Sequence, residues 1–224
     1  MDLTLAEQFL LLAHHTDKKR FVVPGNQTLM GMLGAMLLDL IEAGDIKIID
    51  DKIICTLQNQ SDSIHPEMFS ILENSKKPRK IKAWIQRLSY KGNKLKKTLF
   101  LSMSQKRYIT LEQKKFLGLI PYNITGVINK SRHRANVSHM KGILLLNKEA
   151  TRREQLLLSI LLGSGILPNL GRDREERKNI RKKAKNYKQT NPVGSEVDKA
   201  IQEMQAAIAV SIATTAATSS ASHH

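Results

Sequence analysis

Apolar residues recur along most of this chain at helical spacing. Thr4 followed three residues later by Glu7 has the form of a capping box. Behind it Leu5, Phe9 and Leu12 return every three or four residues, which predicts a first helix with one buried side. The polar run Asp17, Lys18, Lys19, Arg20 then turns the chain. A second helix is predicted over 26–43. It is apolar nearly all round, the mark of an element buried on every side, and Gly44 suits the left-handed stop after it. Gly31, Gly34 and Ala35 leave that helix a smooth side that another backbone can approach.

At 45–49 and 52–57 the period shortens toward two, with Asp50 and Asp51 between the runs, and a β-hairpin is predicted there. His65-Pro66 opens another helix, and 75–80 reads as a basic linker. Ile81, Trp84, Ile85 and Leu88 mark a short amphipathic helix anchored by the only tryptophan, and 94–103 is helical too. Residues 108–111, a polar turn at 112–115, and 116–120 suggest a second hairpin closed by Pro121. After a less regular stretch come an apolar helix over 151–162, a break at Gly163-Ser164-Gly165, and a basic helix over 172–188. In that helix Ile180, Ala184 and Tyr187 form a narrow apolar stripe, and Arg174, Arg177, Lys178, Arg181, Lys185 and Lys188 share another face. Pro192 and Gly194 precede a last helix from 195 that frays by 218. The expected fold is mainly α: a single compact helical domain around a central hydrophobic helix with two short β-hairpins, spanning 1–215, with 216–224 as a disordered tail.

Charge changes the picture most. Thirty-six basic residues stand against 20 acidic ones, for a net charge of +16. Self-repulsion of that size implies a polyanionic partner, nucleic acid or an anionic membrane. One cysteine, Cys55, excludes an internal disulfide and a thiolate zinc site, and reads as a small buried hydrophobe. The N-terminus lacks the basic segment of a signal peptide, and the apolar runs at 29–38 and 156–162 fall short of the ~18 residues that span a bilayer. A cytoplasmic chain, attached to a membrane only peripherally, is the expectation.

No catalytic constellation stands out, so neither an enzyme nor a bound cofactor or metal is expected. His14 and His15 are adjacent and point apart, unlike a metal pair four residues apart, and His65, His133 and His139 are scattered. Gly163-Ser164-Gly165 lacks the frame of a nucleophile elbow, and neither a P-loop nor a dinucleotide fingerprint is present. Two segments carry binding chemistry. Phe116, Leu117, Leu119 and Ile120 lie beside Lys106, Arg107, Lys114 and Lys115. Exposed, they form an apolar wedge with a basic collar for a membrane interface; buried, they form an ordinary core strand. Lys91, Lys94, Lys96 and Lys97, with Arg87 one turn earlier, form either a solvated helix face or a phosphate-binding pocket. Aromatic residues are 4% of the chain, too few for a stacking platform on single-stranded nucleic acid; helices followed by a hairpin keep a winged-helix DNA reader as the alternative.

Four stretches together resemble the Golgi phosphoprotein 3 family, in particular its shorter bacterial-type members. They are the run starting at Leu3-Thr4-Leu5-Ala6; the segment from Gly31 to Leu40 with Ala43-Gly44-Asp45-Ile46; the segment from Asn169 to Arg177 leading into Arg181-Lys182-Lys183; and the run from Val197 to Ile208. The resemblance implies a peripheral membrane protein that binds the phosphatidylinositol 4-phosphate headgroup, with a hairpin assisting, on Golgi membranes in eukaryotes and with membrane-protein clients. It also implies a headgroup pocket built on a Trp, where Pro24 stands here, an Arg where Leu33 stands, and two further arginines near Asn93 or Lys94 and at Lys96. From these readings Lys94, Lys96, Lys97, Arg87 and Lys91 are expected at the headgroup, and Phe116, Leu117, Leu119 and Ile120 in the interface. No nucleic-acid partner is expected.

Overall fold

The computed structural model describes residues 3–56, 60–116 and 119–190, and positions 203, 206, 208–210, 212 and 213. Helix α1 spans Leu5–Ala13, and its capping box forms as the sequence predicts: the Thr4 hydroxyl accepts from the Glu7 amide while the Glu7 carboxylate accepts from the Thr4 amide. Helix α2, Gly25–Glu42, is the central element; it buries residues on every side and packs against α1 and the later helices. Gly31 lies against the Phe9 ring of α1. A Cβ there would overlap the Phe9 ring and lie 2.9 Å from the Ser164 Cβ, so only glycine fits. Gly44 takes φ +78° after the helix, the left-handed stop that a side chain would strain.

Strands β1 (Ile46–Ile49) and β2 (Lys52–Cys55) pair antiparallel across Asp50 and Asp51, both at positive φ as a tight hairpin with the right twist requires. Helix α3 spans Pro66–Glu73. The expected basic linker instead ends in a short third strand, β3 (Arg79–Lys80), which pairs with β2. Helix α4 (Ile81–Ser89) buries Ile81, Trp84, Ile85 and Leu88, and α5 (Gly92–Gln105) buries Leu95, Leu99, Phe100 and Met103. Strands β4 (Ile109–Phe116) and β5 (Ile120–Val127) form a two-stranded ribbon.

The stretch read as irregular holds a sixteen-residue helix, α6 (Lys130–Leu145). Helix α7 (Arg152–Gly163) starts from a second capping box at Thr151 and Glu154. Gly165, at φ +70°, then turns the chain into α8 (Ile166–Asn169), and α9 (Arg174–Thr190) follows. Ile180 is buried, with Ala184 and Tyr187 packed beside it, so α9 docks through the predicted stripe. Most of the predicted last helix and the tail at 216–224 lie outside the described residues; Ile208, among the described positions, is buried in the common core. The molecule is mainly α, with two small antiparallel sheets.

Buried polar groups tie the first helix to its surroundings. Asp39, near the end of α2, accepts hydrogen bonds from the amides of Leu5 (2.7 Å) and Ala6 (2.9 Å), the first two residues of α1, and from His65 Nε2 (2.9 Å). A helix N-terminus offers unpaired amides and positive potential, so a buried carboxylate there is well matched. Glu7 accepts from Lys106 Nζ (2.7 and 2.8 Å) and the Ser102 hydroxyl (2.6 Å), joining α1 to α5.

His14 closes α1. Its Nδ1–H donates to the Leu10 carbonyl (2.7 Å), which leaves Nε2 to accept from the Thr125 hydroxyl of β5 (2.7 Å). Burial pushes its pKa down to about 4; the Leu10 carbonyl opposes this, and His133 adds to it. In an unfolded chain the same imidazole takes up a proton near 6.5. Between those values the unfolded state binds more protons, so the fold loses stability as pH falls from 6.5 toward 4, by about 3 kcal/mol in all. Thermal unfolding followed from pH 7 to 4 should show this decline, and His14→Gln should remove most of it; an equal slope in the variant would assign the decline elsewhere.

Candidate functional site

The basic residues around α4 and α5 take positions dictated by the two buried stripes. Gly92 lets the start of α5 lie against Leu29 in the first turn of α2; a Cβ there would come 2.6 Å from a Leu29 methyl. With α4 turned inward through Trp84 and Leu88, Arg87 and Lys91 stand outward. They line an open cleft of about 500 Å³ with Ile71, Arg79 and Tyr90. Arg79 was not anticipated, since it lies in the segment read as a linker. Lys94 is exposed and sits 3.4 Å from Glu67 of α3, which also accepts from the Thr98 hydroxyl. Lys97 is exposed as well. Lys96 is half-buried, burial lowers its pKa, and it forms no ion pair among the described residues.

Helix geometry divides this set. Residues two apart leave a helix about 200° from one another, so Lys94 and Lys96 diverge, whereas Lys94 and Lys97, three apart, share a side. Arg87 and Lys91 therefore meet with Arg79, Lys94 and Lys97 form an exposed row, and Lys96 stands apart at the edge of the core. Leu33, where the resemblance implies an arginine, is wholly buried, and Pro24, where it implies a tryptophan, is exposed at the start of α2. Neither can supply a headgroup contact of the kind those residues give.

The second hairpin departs from its predicted form. Residues 112–115, expected as a turn, lie inside β4, and Pro121 lies inside β5 opposite Lys115. The last pair of the ladder is Phe116 with Ile120, so these two residues, expected along one strand, lie opposite each other at the end of the ribbon. A ladder needs only backbone partners, and in a two-stranded ribbon one edge of each strand is unpaired, so both a polar strand and a proline are tolerated. The base of the ribbon is packed: Ile109 and Thr125 are buried. Farther out Gln113, Lys114, Lys115, Tyr122 and Asn123 are exposed. Leu119 is 82% exposed. Leu117 lies outside the described residues, as do the side chains of Phe116 and Ile120.

The other described histidines have partners: His65 meets Asp39, His133 donates to the Leu11 carbonyl and accepts from the Thr16 hydroxyl, His139 meets Glu154, and His15 accepts from the Asp17 amide. Among the described residues no three His, Cys, Asp or Glu side chains gather as a metal site would require. No helix among them is long and apolar enough to cross a membrane.

No curated protein matched the chain. The sequence model of the family described as Golgi phosphoprotein 3 (GPP34) matches residues 5–204, from the first residue of α1 to beyond α9. That span takes in the central helix, both hairpins and the basic helix together, and the chain belongs to the Golgi phosphoprotein 3 family.

Proposed function

We propose that this protein attaches reversibly to the surface of anionic membranes as a non-catalytic lipid-binding protein, with phosphatidylinositol 4-phosphate as the headgroup the family suggests. The observation that carries the reading is Leu119, a large apolar side chain 82% exposed at the end of a ribbon, with Lys114 and Lys115 exposed behind it. An apolar end followed by lysines matches the layering of a membrane interface, where acyl chains lie below phosphates. A winged-helix DNA reader would carry its cations at the very end of the wing. Arg79, Arg87 and Lys91 at their cleft, and Lys94 and Lys97 beside it, supply attraction to the headgroups, and the cytoplasmic face is the side where anionic lipids are found. Membrane-protein clients belong to the same reading.

Vesicle sedimentation tests it. The full chain should pellet weakly with phosphatidylcholine vesicles, strongly when phosphatidylserine is included, and most strongly when phosphatidylinositol 4-phosphate is added. Burying a leucine is worth about 1.5–3 kcal/mol, so Leu119→Asp should reduce pelleting by about 10- to 100-fold while leaving the melting temperature unchanged. Equal pelleting on neutral and anionic vesicles would overturn the reading.

A further inference from the structure

A second basic cleft lies away from the α4–α5 cluster. It has a volume of about 770 Å³ and forms where the connection between α1 and α2 faces the joint between α8 and α9. Lys18 and Arg20 come from the first segment, Arg172 and Arg177 from the second, and no Asp or Glu lines the cleft among the described residues. In sequence these cations are some 150 residues apart, and only the fold brings them to one opening.

Both walls are fixed. The loop carrying Lys18 and Arg20 is held by the His15 amide donating to the Arg20 carbonyl (2.9 Å) and by the bridge between His14 and Phe21. On the other wall, Arg177 Nε donates to the Gly171 carbonyl (3.1 Å), which orients the guanidinium. A Cβ on Gly171 would come 2.9 Å from the Arg177 amide nitrogen, so this contact requires glycine.

Several cations elsewhere are matched by acids: Lys106 by Glu7, Lys141 by Glu176, Arg153 by Glu42, and Lys130 and Arg134 by Asp17. Asp17, the acid nearest Lys18 in sequence, is thus engaged with α6. Arg172 shares Glu176 with Lys141. Lys18, Arg20 and Arg177 form no ion pair among the described residues. Cations left together without a counter-charge in a fixed cleft repel one another, and an anion with several oxygens relieves that repulsion. Guanidinium groups favour tetrahedral oxyanions, which they bind through two parallel hydrogen bonds. The volume lies in the range of small-molecule sites and exceeds what inorganic phosphate alone would fill.

We propose that this cleft binds a phosphomonoester or diphosphate group carried on a small molecule or on a lipid headgroup. Its lining residues are distinct from the α5 lysines and from the end of the hairpin. The test uses the full chain and inorganic pyrophosphate, with inositol 1,4-bisphosphate as a second soluble probe, by calorimetry at 150 mM salt. Arg20→Gln with Arg177→Gln should weaken binding at least tenfold, and Lys18→Gln should weaken it by a smaller factor, each with an unchanged circular dichroism spectrum. Lys82→Ala with Lys148→Ala, two exposed cations outside both basic clusters, should leave pyrophosphate binding unchanged. Loss of pelleting on phosphatidylinositol 4-phosphate vesicles in the cleft variants, together with displacement by pyrophosphate, would support a lipid source. Retained pelleting with lost pyrophosphate binding would support a soluble source. Pyrophosphate binding that is absent, or that is equal in the wild type and the cleft variants, would overturn the proposal.

Discussion

Asp39→Ala is expected to lower folding stability by about 3–5 kcal/mol, the cost of leaving buried partners of a charge unpaired. The carboxylate is nearly inaccessible and meets the amides of Leu5 and Ala6 and the His65 imidazole at once. Removing it strands two helix-terminal donors and one imidazole away from water, and it opens a cavity beside the central helix. Thr4 cannot compensate, because its hydroxyl already serves the Glu7 amide. Asp39→Asn should recover only part of the loss, since one of its two head atoms is itself a donor set among donors. Urea unfolding monitored through Trp84 reads both values. A loss below about 1 kcal/mol for the alanine variant would show that the three contacts are not a stabilising unit.

The second large effect concerns binding. Lys94→Ala, Lys96→Ala and Lys97→Ala combined should lower partition onto phosphatidylserine vesicles by about 100-fold, at about 1 kcal/mol per cation near an anionic surface. The three should not contribute alike. Lys94 already has Glu67 at 3.4 Å, so part of its charge is compensated before any membrane approaches. Lys96 is half-buried without a counter-ion among the described residues, and an anionic headgroup would restore the charge stability that burial has taken from it. Its single alanine variant is therefore expected to weaken binding more than that of Lys94. The difference should grow when phosphatidylinositol 4-phosphate replaces phosphatidylserine, if Lys96 meets a phosphate directly. Three single variants of equal effect would reduce the cluster to diffuse attraction.

Much of the fold could be read from periodicity because its elements obey their own patterns. α1, α2 and α4 carry apolar stripes complete enough to fix their buried sides, and Gly44 and the Asp50-Asp51 pair mark their turns through backbone conformation. α6 was missed because it buries little: His133, Met140, Gly142, Ile143 and Leu144 are its buried residues, and the rest of it is polar or charged. β3 was missed because two residues, Arg79 and Lys80, hold no pattern at all. In the second hairpin a polar run in β4 looked like a turn because the outer half of that ribbon has no core to face. Basic charge at the candidate site was visible, but its grouping was not. Adjacency in sequence suggested one pocket from Arg87 to Lys97, whereas helix geometry separates Lys96 from Lys94. The Lys18, Arg20, Arg172 and Arg177 cleft depends on tertiary contacts that no local signal announces. The pairing of Asp39 with His65 was hidden for the same reason.

The Asp39 contact also bears on the order in which the chain takes shape during synthesis. α1 emerges before α2, yet two of its four unpaired amides wait for a carboxylate that follows 34 residues behind Leu5. Until α2 is out and has turned back, the first helix is nine residues long, too short to persist alone in water. The N-terminal end of α1 is thus completed from α2, and these two helices mature as one unit.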